Sequence, residues 1–160
     1  MVKLPVVFRL DAAAPDPAVL NEAARILRAG GLVAFPTDTV YGLGADATNQ
    51  EAIERLNRVK GRPPDKPYSL HLHSAAQVRE IVGDVSPLAR RLMQRFWPGP
   101  LTVVIPTDAQ HTVGLRVPDH PVARAFLRAC HVPVAAPSAN RSGDPPPSQA
   151  RQVLEALNGS

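Results

Sequence analysis

Residues 16–44 read DPAVLNEAARILRAGGLVAFPTDTVYGLG, and the fold turns on how this stretch is understood. Asp16 followed by Pro17 opens a helix: the aspartate side chain accepts from the first free N–H groups, and proline needs no donor at that position. Val19, Leu20, Ala23, Ala24, Ile26 and Leu27 recur at helical spacing, and Gly30 supplies the stop. Leu32 to Phe35 then reads as a buried strand ended by Pro36, which lacks the N–H a ladder requires. The loop that follows, 36–44, offers hydroxyls and a carboxylate on Thr37, Asp38, Thr39 and Tyr41, while Gly42 and Gly44 admit close backbone approach. Ligands of α/β proteins favour such strand ends.

Working outward, the pattern continues as mixed α and β. A second helix is expected over 49–59, with Ile53, Leu56 and Val59 inward, and it must end by Arg62 because Pro63 and Pro64 forbid continuation. Strands are expected at 68–72, 101–105, 113–117 and 132–136, and helices at 75–82, 86–96 and 121–130. Ser148 is expected to cap a final helix carrying Val153, Leu154 and Leu157. The natural packing is an α/β sheet covered by helices. With 160 residues, no repeat and no linker-like shift in composition, the expected organisation is a single domain over 1–160.

Composition narrows the classes. A hydrophobic share of 44% is enough for a real core, which excludes disorder. Cys130 has no second cysteine to pair with and reads as a buried apolar residue. No window approaches the roughly 18 apolar residues of a membrane span, so a soluble, cytoplasmic protein without membrane partners is expected. The +4 charge and pI near 9.8 suit anionic partners such as nucleotides or RNA, and equally a solvated basic surface. Eighteen prolines, roughly double ordinary usage, imply many stiff turns.

Two further loops collect residues that a core does not need. KGRPPDKP, residues 60–67, sets Lys60, Arg62 and Lys66 on a backbone braced by three prolines. Rigid cations suit phosphate, because Arg62 presents a planar fork and prepositioning lowers the cost of ordering. APSANRSG, residues 136–143, places Ser138, Asn140 and Ser142 among small residues that allow a flat ligand near the backbone. There is no G-x-x-x-x-G-K-[ST] cradle, and no G-x-S-x-G elbow makes Ser138 a nucleophile. The G-x-G-x-x-A string at 42–47 lacks the direct strand-to-helix turn of a dinucleotide site.

His71 and His73 alternate on an expected strand and so share a face, yet no cysteine or carboxylate stands at ligand spacing, and no metal site is expected. His71 is the better candidate for touching a hydroxyl or carboxylate ligand. Arg116, in VGLRVPDHP, lies within an apolar strand and requires an anionic partner, either a substrate or Asp119.

The strings PTDTVYGLG, the K-x-R of KGRPPDKP, WPGPLT at 97–102, VGLRVPDHP and PSANRSG together resemble, in order, the YrdC family of threonylcarbamoyl-AMP synthases (TsaC-like). The resemblance covers nearly the whole chain, from Asn21 to Gln149. It implies a twisted mixed sheet with flanking helices around a concave basic cavity. It also implies the formation of threonylcarbamoyl-AMP and pyrophosphate from L-threonine, bicarbonate and ATP, a nucleotidyl transfer with ATP as substrate and Mg²⁺ expected on it. The product would pass to a tRNA-modifying complex for threonylcarbamoyladenosine at position 37, with weak or no direct tRNA binding.

By position, the resemblance puts Thr39, His71, Arg116 and Ala136 on threonine. It puts Arg62, Lys66, Thr112, Ser138, Asn140 and Pro146 on ATP, and makes Lys60 and Arg62 the pair needed for activity. The family usually has a small hydroxyl residue where Pro146 stands, and its domains continue past Leu157 with further strands, so the C-terminal end is expected to be short relative to the family. Two other readings are an RNA-binding module, poorly served by 4% aromatics, and a carbamoyl-AMP-handling domain of the same fold.

Overall fold

Capping residues set the helices. The computed structural model describes residues 5–157, so 1–4 and 158–160, the ends of the expected domain, lie outside the described residues. Helix α1 (Pro17–Arg28) is capped by Asp16, whose side chain accepts from the Ala18 N–H, and α2 (Gln50–Lys60) by Asn49 in the same manner. The remaining helices are α3 (Gln77–Val82), α4 (Pro87–Phe96, capped by Ser86), α5 (Pro121–Cys130) and α6 (Ala150–Leu157). At α6 the expected Ser148 cap is replaced by a reversed one. The Gln152 side chain reaches back to accept from the N–H groups of Ser148 and Gln149 and from the Ser148 hydroxyl.

The strands are β1 (Val33–Phe35), β2 (Gly42–Asp46), β3 (Leu70–His71), β4 (Val103–Pro106), β5 (Thr112–Arg116) and β6 (Val134–Ala135). They form one mixed sheet in the order β1-β2-β6-β3-β5-β4, in which only β3 and β5 run parallel. Helices α1 and α5 close over Phe35 and Val134 with Leu27, Phe126 and Cys130. Helix α4 covers Val103, Ile105 and Leu115, while α2 and α6 cover Leu43, Ala45 and Ala135 with Leu56 and Val153. The mixed α/β sheet matches the expectation, with shorter strands.

Strand β2 is the element that the expected 36–44 loop concealed. Its GLGAD sequence has poor strand propensity, and all five residues are buried. Its glycines answer to close packing: a Cβ on Gly44 would meet the Phe35 ring, the Val134 side chain and the Val33 carbonyl, each at 3.2 Å. Gly44→Ala should therefore destabilise the protein by about 1–3 kcal/mol, the usual cost of overpacking, measured by urea unfolding. An unchanged midpoint would show that the strand gives way freely.

Candidate active site

The first half of the site grows from the end of α2. Gly61 takes φ 60, and the N–H groups of Gly61 and Arg62 turn back to the carbonyls of Arg58 and Asn57, so the helix closes at Lys60 and the chain reverses. Lys60 is left only 4% exposed. Its Nζ donates to the carbonyls of Ser138 at 2.5 Å and Asn140 at 2.6 Å, while the Ser142 N–H donates to the Lys60 carbonyl at 2.8 Å. Burial, and after it the charge of Arg62, lower the Lys60 pKa to about 8.

Arg62 is held from two sides. Its guanidinium lies 4.6 Å from the centroid of the Tyr68 ring, and its Nη2 donates to the Pro67 carbonyl at 3.1 Å. Tyr68 is fixed in turn by its hydroxyl, which donates to Asn57 Oδ1 at 2.6 Å. The Arg62 Nε is buried and has no hydrogen-bond partner among the described residues. Lys60, Arg62, Lys66, Ser138 and Asn140 line a cavity of about 380 Å³. Three cations around one hollow with no carboxylate in its lining have the charge that suits a multiply charged oxyanion.

The second half centres on Arg116, at the end of β5. Within the chain its carboxylate partner is Asp38 rather than Asp119: Asp38 Oδ1 accepts from Nη2 at 2.5 Å. Nη1 donates to Thr39 Oγ1 and Nε to the Gly99 carbonyl, each at 3.0 Å. The WPGP turn thus orients the guanidinium. His71 is the register partner of Arg116 across β3 and β5, and its ring stands edge-on to Phe35. Burial first, then Arg116, lower the His71 pKa to about 4, against the pull of Asp38, so the ring is neutral at pH 7. Its Nδ1 has no partner among the described residues.

Because the unfolded chain takes up a proton near 6.5 and the folded one only near 4, stability is complete above 6.5 and declines as pH falls toward 4. His71→Gln should flatten that acid decline in thermal melts. An identical pH dependence would place the proton uptake on another group.

One segment joins the two halves. Pro137, Ser138 and Asn140 belong to the cation cavity. Ala136 sits at the other end, donating from its N–H to the Ser69 carbonyl and packing 3.7 Å from the Cβ position of Gly42, beside Phe35. The 36–44 stretch is laced to the same segment, since the Leu43 N–H donates to the Pro137 carbonyl and the Ala139 N–H to the Tyr41 carbonyl.

The structure therefore brings together Lys60, Arg62, Lys66, Ser138 and Asn140 on one side and Thr39, His71, Arg116 and Ala136 on the other. It does not bring in Thr112, exposed at the start of β5 opposite Pro106, or Pro146, exposed in the proline run. His73 also departs from expectation. The strand ends at His71, so the two histidines share no face, and His73 lies instead in the field of Arg128 and Arg124. Sequence reasoning missed the roles of Asp38, Gly99 and Tyr68. Asp38 and Gly99 stood inside the quoted motifs, and an aromatic residue directly after the proline-braced cations was the signal for Tyr68.

These features define an α/β domain that holds a cation-lined cavity and an arginine–carboxylate–histidine cluster joined by one segment. The chain belongs to the Sua5/YciO/YrdC family, whose model, described as Telomere recombination, matches residues 25–160. It is 44% identical over 154 residues to the threonylcarbamoyl-AMP synthase of Bacillus subtilis, covering 90% of this chain and 44% of that protein. It is 43% identical over 146 residues to the threonylcarbamoyl-AMP synthase of Pyrococcus abyssi, covering 86% of this chain and 43% of that protein. The fold superposes with a TM-score of 0.86 on the crystal structure of P. abyssi Sua5 complexed with L-threonine, at 40% identity, covering 91% of this chain and 46% of that one. The chain spans less than half the length of these relatives.

Proposed function

We propose that this chain carries L-threonylcarbamoyladenylate synthase activity. Threonine nitrogen and bicarbonate combine with loss of water to give a carbamate. A carbamate oxygen then attacks the α-phosphorus of ATP, forming threonylcarbamoyl-AMP as the bond to pyrophosphate breaks. The observation that carries this reading is the Lys60 ammonium bound to the carbonyls of Ser138 and Asn140, which ties the cationic loop to the segment leading to Ala136. Two anionic reactants can thus be held next to each other, and their proximity supplies much of the catalysis.

In this reading Arg62, Lys66, Ser138 and Asn140 bind ATP, and Lys60 with Arg62 neutralises charge as pyrophosphate leaves. Thr39, His71, Arg116 and Ala136 bind threonine, with neutral His71 suited to its hydroxyl. For Thr112 and Pro146 the resemblance is the sole support. Among the described residues no group of three or more His, Cys, Asp or Glu could hold a metal ion. The donor set therefore does not fit a resident metal; Mg²⁺ would arrive on the triphosphate, and no step here runs through it. Among the described residues no helix is long and apolar enough to cross a membrane. We place the reaction in the cytoplasm, with the product consumed by a separate tRNA-modifying complex.

The test is pyrophosphate release from ATP with and without threonine and bicarbonate. Release that needs both is expected; release indifferent to both would remove the assignment. Arg62→Ala should lower ATP-dependent turnover at least ~10-fold, the scale of one lost charge-assisted phosphate contact, read as kcat/KM for ATP. Unchanged kinetics would move the phosphate site elsewhere.

A further inference from the structure

Asp38 is the one charged residue of the site that the reading above leaves without a task. Its side chain is 15% exposed, and Arg116 is 10% exposed on the same measure. Asp38 Oδ1 takes the bond from Arg116, and nothing in the chain donates to Oδ2 among the described residues. Arg116 uses three of its five N–H groups, on Gly99, Thr39 and Asp38. The pair therefore presents two spare guanidinium donors next to one spare carboxylate oxygen.

A ligand with a carboxylate alone would meet a guanidinium already neutralised, and Asp38 would repel it. A ligand carrying a carboxylate and an ammonium on adjacent atoms satisfies both groups and leaves the cluster neutral. We propose that Asp38 receives the α-ammonium while Arg116 takes the α-carboxylate, so that the pair is a receptor for amino-acid zwitterions and rejects the corresponding hydroxy acids. This rests on the amino-acid reading of the Arg116 cluster and adds Asp38 to it as a specificity-determining residue.

Calorimetric titration of the wild-type protein and Asp38→Asn with L-threonine and with 2,3-dihydroxybutanoate, its hydroxy-acid counterpart, tests the assignment. The wild type should bind threonine at least ~10-fold more tightly than the hydroxy acid, the scale of one charge-assisted hydrogen bond. Asp38→Asn should lose that preference, weakening threonine ~10-fold while the hydroxy acid binds as well as before or better. Equal affinities in the wild type overturn the proposal whether or not the variant folds. An Asp38→Asn protein that loses both ligands equally overturns it too, because Asp38 would then only orient Arg116. If the wild type binds neither compound, the amino-acid reading itself falls and this assignment with it, whereas an unaltered preference in Asp38→Asn removes this assignment alone.

Discussion

Lys60→Met is expected to lower turnover by ~100-fold or more, the range seen when a preorganised electrostatic group is removed from a reacting centre. Methionine matches the lysine stem in length but donates nothing, so the carbonyls of Ser138 and Asn140 lose the ammonium that holds them. The Ser138 carbonyl keeps the Asn140 N–H, whereas the buried Asn140 carbonyl loses its ammonium donor, at a cost of ~1–3 kcal/mol. The melting temperature should drop as well, and the 138–140 segment should gain amide exchange. Lys60→Arg should not rescue turnover, since a planar fork does not fit two carbonyls gathered around a point charge. Steady-state pyrophosphate release and thermal melts on the same samples check this; near-normal turnover in Lys60→Met would reduce Lys60 to a structural pin.

The Lys60 proton gives the same idea a pH signature. With its pKa lowered to about 8 from 10.5, Lys60 loses its charge in the folded protein well before the unfolded chain does. Between those values the unfolded state binds more protons, so this group makes stability rise with pH, while the positive charge proposed to act on the nucleotide disappears. The expected result is an alkaline fall in kcat/KM for ATP near pH 8 in a protein that stays folded.

Arg116→Ala is the other substitution of large effect. It strands the Asp38 carboxylate in a largely closed site and frees the Gly99 carbonyl and Thr39 hydroxyl at once. Breaking a buried ion pair by deleting one member costs about 3–5 kcal/mol, and the residual exposure of Asp38 places this case at the lower end. Threonine-dependent turnover should fall ~100-fold or more. Adding Asp38→Ala should recover part of the stability and none of the threonine affinity, because the double change removes the stranded charge without restoring a receptor. Urea unfolding and threonine titration of the single and double variants measure both. A single variant as stable as the wild type would show that the pair contributes nothing net.

The helices were legible from the chain because their signals are local. Asp16 and Pro17, Asn49, and Ser86 with Pro87 sit where the observed helices begin, and Pro63 and Pro64 follow where α2 ends. The cationic loop was legible for the same reason: three prolines and three cations need no distant partner to declare a stiff, charged turn. Strand β2 was not, since GLGAD carries no strand pattern and becomes a strand only because Phe35 and Val134 leave room for glycine and nothing larger.

The site divides along the same line. The candidate residues could be named in order along the chain, from Thr39 and Lys60 through Arg62 and His71 to Arg116 and Ser138. Their pairing could not, because Arg116 meets Asp38 across 78 positions and Lys60 meets Asn140 across 80. Charge and hydroxyl content belong to a residue wherever it stands. Neutralising a guanidinium, or burying an ammonium between two carbonyls, needs groups that only the closing of the sheet brings within hydrogen-bonding distance.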